Sequence, residues 1–262
     1  MLLVIDAGNS NVTLGLYREA ELIAEWRLRT DPSRTFENYS NDILELFSAA
    51  NLKVRDVEGV SIASVVPALN DTLRRIAEHH FHLSPLFIDH HTNTGLRINY
   101  EAVSSLGVDR IVDAFAAVTK YGAPCVVVDF GTATTFNVVN ADREYLGGAI
   151  APGLVISAEA LFGRTAQLPR VDIVKPKKAI GSSTTLSMQS GIYYGYVGLV
   201  DGLLERIIEE LNDRPKVIAT GGLAKLVAGS SRFIETIDDT LTLEGLRLLY
   251  ARSEKENGDG AL

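Results

Sequence analysis

Val126-Val127-Val128-Asp129-Phe130-Gly131-Thr132-Ala133-Thr134-Thr135-Phe136-Asn137-Val138-Val139 carries the reading of the fold. An apolar run suited to a buried strand ends in a carboxylate, a polar glycine-containing turn follows, and a second strand begins. The amino terminus has the same pattern. Leu2-Leu3-Val4-Ile5 leads into Asp6-Ala7-Gly8-Asn9-Ser10-Asn11, after which Val12, Leu14 and Leu16 alternate with Thr13, Gly15 and Tyr17. Asp6 and Asp129 lie 123 residues apart, Gly8 and Gly131 keep that offset, and stretch 144–150 sits where 21–27 sat. Further on, a strand at 60–64 with a helix opened by Pro67 is matched by Val217-Ile218-Ala219-Thr220-Gly221-Gly222 and the helix after it. Matches in this order predict an α/β chain built from a duplicated βββαβα unit. A meander so early argues against a plain βαβ start.

Outside these stretches, apolar spacing predicts helices at 36–50, from 67 to about 80, from 108 onward, at 184–211 with a break near Gly195 and Gly198, and at 241–251. A short strand is expected at 85–89, and the polar tail from 253 to 262 is expected to fray.

With 262 residues the chain has room for one large domain or two small ones. Its 25 Lys and Arg against 33 Asp and Glu leave a net charge of −8, which argues against nucleic acid or an anionic membrane as partner. The lone Cys125 excludes an intrachain disulfide and a cysteine-based zinc site, and fits a reducing cytoplasm. The start of the chain has no basic region and meets Asp6 early, and no run of 18 apolar residues occurs, so neither a signal peptide nor a membrane span is expected.

Two common nucleotide signatures are missing: there is no Walker-type phosphate loop and no Gly-x-Gly-x-x-Gly after a strand. Cys125 falls inside an apolar strand, where burial makes a thiol inert. His79, His80, His82, His90 and His91 cluster in sequence without a metal-ligand spacing, and read as a helix end and a loop. The two Asp-x-Gly turns are more informative. Each offers backbone N–H groups and nearby hydroxyls or amides (Asn9, Ser10 and Asn11 in one, Thr132, Thr134 and Thr135 in the other), which suit phosphate oxygens, while the Asp can hold hydrated Mg²⁺. A carboxylate about 5 Å from a phosphate charge repels it by roughly 3 kcal/mol at an effective dielectric near ~20, so Mg-nucleotide is expected rather than free nucleotide. Gly107-Val108-Asp109-Arg110 opens a helix with Asp109 expected at the N-cap. Two readings stand for it: a simple cap, or a general base beside a cation that binds an anionic substrate.

Taken together, these residues resemble the type III pantothenate kinases of the actin-like ATPase superfamily. The resemblance runs through Asp6-Ala7-Gly8-Asn9-Ser10, Ser64-Val65-Val66-Pro67, Gly107-Val108-Asp109-Arg110, Asp129-Phe130-Gly131-Thr132-Ala133-Thr134, Gly147-Gly148-Ala149-Ile150-Ala151-Pro152-Gly153, Leu168-Pro169, Thr184 with Met188-Gln189-Ser190-Gly191, and Thr220-Gly221-Gly222. It implies duplicated actin-like (ribonuclease H-like) lobes, 1–105 and 106–262, with the nucleotide in the cleft between them. It implies phosphorylation of pantothenate by Mg-ATP to 4'-phosphopantothenate, the first step of coenzyme A biosynthesis, in the cytoplasm. Asp6, Ala7, Gly8, Asn9, Ser10, Asn11, Val12 and Thr13 would then line the first phosphate loop, with Mg²⁺ held at Asp6 through water and Thr132 contacting ATP. Asp109 would accept the proton. Tyr100, Gly107, Val108, Asp109, Arg110 and Thr184 would contact pantothenate. Asp129 would bind a monovalent cation, K⁺ or NH₄⁺, and the protein would be a homodimer with the pantothenate pocket shaped by both subunits. Ser10 stands where the family usually has Thr, and Ser183 where it usually has Asn. The alternatives are a non-catalytic regulatory or transcriptional accessory relative, and another actin-like small-molecule kinase.

Overall fold

A computed structural model of the chain describes residues 1–165 and 167–259. In chain order, the first elements are β1 (Leu2–Ala7), β2 (Asn11–Arg18), β3 (Glu21–Arg29), α1 (Phe36–Ala49), β4 (Gly59–Ser64), α2 (Pro67–Ile76), β5 (Leu86–Phe87) and β6 (Arg97–Ile98). Then come α3 (Val108–Tyr121), β7 (Cys125–Phe130), β8 (Ala133–Val139), β9 (Glu144–Pro152), α4 (Leu154–Gly163) and α5 (Thr184–Leu211). The chain closes with β10 (Lys216–Thr220), α6 (Ala224–Ala228), β11 (Thr236–Ile237) and α7 (Leu241–Asp259).

The duplication is visible in the two sheets. One has the order β3-β2-β1-β4-β5, the other β11-β10-β7-β8-β9-β6. In each, a buried central strand pairs antiparallel with its hairpin partner and parallel with a later strand, β1 with β2 and β4, β7 with β8 and β10. The next pairing out in each sheet, β2 with β3 and β8 with β9, carries a register irregularity, at Leu16/Tyr17 and at Val138/Val139. The strands β1 and β7, and β3 and β9, are 123 residues apart along their lengths.

In the first unit the period of two splits the sheet into faces. Leu3, Ile5, Leu14 and Leu16 join Tyr39, Ile43 and Phe47 of α1 and Leu69 and Leu73 of α2 in one core. α1 starts on a capping box, with Thr35 Oγ1 accepting from the Asn38 N–H. The opposite face is covered by α7, since a Cβ on Gly15 would stand 3.1 Å from Leu243 and one on Gly59 2.3 Å from the Tyr250 hydroxyl. In the second unit Val126, Val128, Phe136, Val217 and Ala219 pack against Tyr193, Tyr196, Val200 and Leu204 of α5.

The compact units are residues 1–95, 102–116 and 242 onward, and residues 96–101 and 117–241. This differs from one cut between 105 and 106. The first half of α3 and all but the first residue of α7 belong with the first sheet, joined by the Thr242 hydroxyl donating to Asp113 Oδ1 at 2.6 Å and by Gly245 lying close on Val112 and Ala116.

Other expectations need correction. α5 runs unbroken past Gly195 and Gly198, because Tyr193, Tyr196, Val197, Val200 and Leu204 bury one side of it and outweigh the low propensity of glycine. α7 continues to Asp259, so the tail expected to fray is helical to that point, and residues 260–262 lie outside the described residues. The strand expected at 85–89 is only Leu86–Phe87, and α2 ends at Ile76 in a single π turn, Ala77–Phe81. Among the described residues, no helix is long and apolar enough to cross a membrane. Cys125 is buried, and burial pushes its thiol up to about 12, in keeping with an inert core residue.

Gly147 and Gly148 of β9 have φ of 97° and 145°, and a Cβ on Gly148 would lie 1.8 Å from the Phe136 carbonyl oxygen. Gly148→Ala is expected to cost on the order of 3 kcal/mol, read as a lower urea midpoint.

Candidate active site

In the first unit the candidate residues gather where parallel strands end. β1 and β4 finish side by side, with Ala7 opposite Ser64 and the Val65 N–H donating to the Ala7 carbonyl at 3.0 Å. The carboxyl edge of parallel strands is where α/β sheets take ligands. Asp6 is the next-to-last residue of β1 and pairs in register with Thr13 and Ala63. Beyond it the Gly8 N–H donates to the Asn11 carbonyl at 2.9 Å, and Thr30 holds the turn through its hydroxyl on Gly8 O and its N–H on Ser10 O. Asn9, Ser10 and Asn11 are exposed on this tip. Ala7 and Val12 are wholly buried, so they can offer a ligand only backbone groups.

Asp109 belongs to the same unit. It is the second residue of α3 rather than its N-cap, because the helix begins at Val108 directly after Gly107. Its Oδ1 accepts the Arg110 N–H at 2.8 Å. A Cβ on Gly107 would stand 2.4 Å from that oxygen and 3.7 Å from Val65, so the carboxylate folds back over a glycine that leaves it room. Burial raises the Asp109 pKa above the ordinary carboxylate range, against the opposing pull of the Arg110 N–H and charge. Arg110 itself is 6% exposed and Val108 is buried. The loop before them is held by His90, whose Nε2 lies 2.6 Å from the Leu106 carbonyl.

In the second unit Asp129 ends β7 as Asp6 ends β1, opposite Thr135 and Thr220. Two glycines make a cradle around its carboxylate. A Cβ on Gly131 would stand 3.5 Å from Oδ2, and one on Gly221, where φ is 88°, only 2.3 Å from Oδ1. The Gly131 N–H donates to Ala133 O, and the Thr132 carbonyl accepts from Gly153 at 3.1 Å, leaving the Thr132 residue exposed. Tyr100 is brought to this unit by β6, which pairs parallel with β9, and by the Asn99 N–H donating to Tyr145 O at 2.9 Å. Its ring lies over Gly147, where a Cβ would be 3.2 Å away. Thr184 is exposed as the first residue of α5, and Ser183 accepts the Leu186 N–H at 3.3 Å, so serine does here the capping that asparagine can also do.

Thus Asp6 with its turn and Asp109 share one unit, while Asp129, Thr132, Tyr100 and Thr184 share the other. Gly221 and Val65 were not singled out individually by sequence reasoning; a Gly-Gly pair at the end of a parallel strand was the signal for the first. Among the described residues, no group of three or more His, Cys, Asp or Glu side chains is placed to hold a metal ion alone. A single carboxylate such as Asp6, next to a turn with exposed polar residues, suits Mg²⁺, which keeps several waters and takes one or two carboxylates plus substrate phosphates.

The sequence profile of the type III pantothenate kinases matches residues 2–206. The chain belongs to that family. A type III pantothenate kinase of Geobacter sulfurreducens is 51% identical over 255 residues, covering 97% of this chain and 100% of the relative. One from Koribacter versatilis is 49% identical over 264 residues, covering 97% and 96%. Among solved structures, a conserved Baf family protein of Campylobacter jejuni aligns with a TM-score of 0.62 at 19% identity, covering 97% of this chain and 99% of that one. MreB 5 of Spiroplasma citri bound to AMPPNP aligns with a TM-score of 0.58 at 12% identity, covering 100% and 98%. At such identities the likeness concerns the fold alone, and that fold is the duplicated actin-like one.

Since burial raises the folded-state pKa of Asp109, the ionised carboxylate destabilises the native state at neutral and higher pH, and that penalty fades as pH falls through its folded pKa toward the unfolded value. Asp109→Asn is therefore expected to raise Tm at pH 8, with the gain shrinking toward pH 4, as read by thermal melts across that range.

Proposed function

We propose that this chain transfers the γ-phosphoryl group of ATP to the terminal hydroxyl of pantothenate, giving 4'-phosphopantothenate, in the cytoplasm. The observation that carries this reading is Asp109: a carboxylate made more basic by burial, at the strand edge that also holds the Asp6 turn, in a chain of this family. Phosphoryl transfer passes through a loose transition state, so catalysis is mostly positioning and charge stabilisation. Asp109 orients the attacking hydroxyl and takes its proton late, and a raised pKa matches that task better than an ordinary Asp. Asp6 through Thr13 and Thr132 present backbone and side-chain donors to the phosphates. Asp6 would hold Mg²⁺ through water, and Asp129 a monovalent cation, K⁺ or NH₄⁺; bound there, these ions offset the charge on the phosphate oxygens. Tyr100, Gly107, Val108, Arg110 and Thr184 shape the pantothenate pocket.

A homodimer completes the proposal. α4 is apolar almost throughout, yet only Leu154 and Ala158 are buried. Val155, Ile156 and Leu161 of α4 are exposed, as are Ile150 at 65%, Leu186, and Ile180 at 89%. An apolar helix with so little covered is a surface for a second copy. The regulatory alternative is disfavoured, since Asp6, Asp109 and Asp129 are all in place.

The test is a coupled assay of ADP release with pantothenate against a panel of sugars and acetate, with and without K⁺. Turnover with a sugar or acetate in place of pantothenate would overturn the substrate assignment. Asp109→Asn is expected to lower kcat by about 10²–10⁴-fold. On the acid side kcat/KM should fall with an apparent pKa above the ordinary Asp value of about 3.9, because the base must be ionised. Ile150→Asp combined with Val155→Asp should shift the protein from dimer to monomer in sedimentation velocity.

A further inference from the structure

Two buried phenols sit almost one turn apart on α5 and reach different parts of the second unit. The Tyr193 hydroxyl donates to the Leu226 carbonyl at 2.9 Å and lies 2.8 Å from the Ser230 hydroxyl, tying α5 to α6. Tyr196 reaches the other way. Its ring lies 6.5 Å from that of Phe130, and its hydroxyl is hydrogen-bonded to that of the fully buried Thr134.

The start of α4 lies against the same turn. Its N-cap is Gly153, where a Cβ would stand 2.2 Å from the Thr132 carbonyl oxygen. Two bonds shape the Asp129 turn: the Gly131 N–H to Ala133 O and the Gly153 N–H to Thr132 O. The first ends one residue from Thr134, whose hydroxyl the phenol holds. The Asp129 charge also reaches Tyr196: burial is the main cause of its raised pKa, and the Asp129 carboxylate adds to it.

We propose that Tyr196 is a positioning residue for the nucleotide, its hydroxyl fixing Thr134 so that the Asp129–Thr132 turn keeps the conformation that receives the ATP phosphates. This deepens the kinase reading and rests on it for the identity of the ligand. Removing the hydroxyl leaves the β7–β8 ladder intact but frees the turn from that anchor.

The test compares Tyr196→Phe with Tyr193→Phe, which removes an equally buried hydroxyl from the same helix. Mg-ATP binding is measured by calorimetry, and KM for each substrate by steady-state kinetics. Tyr196→Phe is expected to raise the Kd and KM for ATP about tenfold, the effect of one lost hydrogen bond, with the KM for pantothenate within about twofold of wild type. Tyr193→Phe is expected to lower Tm while ATP binding stays unchanged. Thr134→Val should reproduce the ATP defect, and Thr134→Ser should restore wild-type binding; this pair carries the test if Tyr196→Phe does not fold. Unchanged ATP binding in both Tyr196→Phe and Thr134→Val, or an equal loss in Tyr193→Phe, would overturn the assignment. If the wild type binds Mg-ATP without phosphorylating pantothenate, the substrate reading fails while the binding arm still decides the role of Tyr196.

Discussion

A carboxylate set into packed structure, at a strand end or in the first turn of a helix, needs space that a neighbouring side chain would take away. The structure supplies that space with glycine. Gly221 lies where a Cβ would sit 2.3 Å from Asp129, and Gly107 where one would sit 2.4 Å from Asp109. With φ at 88°, Gly221 is also in a conformation that other residues enter only under strain. The register of β7 with β10 puts Thr220 opposite Asp129, so the glycine after that strand must meet the carboxylate. Charge placement at the site therefore follows from strand pairing, and strand pairing follows from the apolar runs that bury β1, β4, β7 and β10.

This dependence explains what was legible in the sequence. The duplicated unit could be read from the offset between Asp6 and Asp129 because period-two alternation and turn residues are local signals. α4 escaped notice because Leu154-Val155-Ile156-Ser157-Ala158-Glu159-Ala160-Leu161-Phe162 is apolar on several sides and so lacks a clear helical period. β6 and β11 are two residues each and exist only through pairing with β9 and β10. The boundary between units could not be read at all, since it depends on α7 returning to the first sheet. For the site, Asp109 was identified but its position was not. Helix starts are marked by Ser, Thr, Asp or Asn, and here a glycine at 107 precedes the helix while the acid sits inside its first turn.

Asp109 also illustrates a conflict between folding and chemistry. A half-buried carboxylate beside Gly107 and Val65 has too few donors to offset its lost hydration, so the native state carries it at a cost. Buried Asp238 contrasts with it. There the Lys120 and Tyr121 side chains both donate to the carboxylate and its pKa is lowered in spite of burial. Both acids lose hydration on folding, but one is satisfied and structural, whereas the other is left basic enough to take a proton.

The return of α7 to the first unit has a consequence for synthesis on the ribosome. Leu243 and Tyr250 cover a face of a sheet translated far earlier, packing against Gly15 and Gly59, and Gly245 packs on Val112 of α3. That face stays bare until α7 follows, while everything the second unit needs, through Leu241, precedes α7's return. The order of completion is thus reversed relative to the order of translation: the sheet made earlier is finished later.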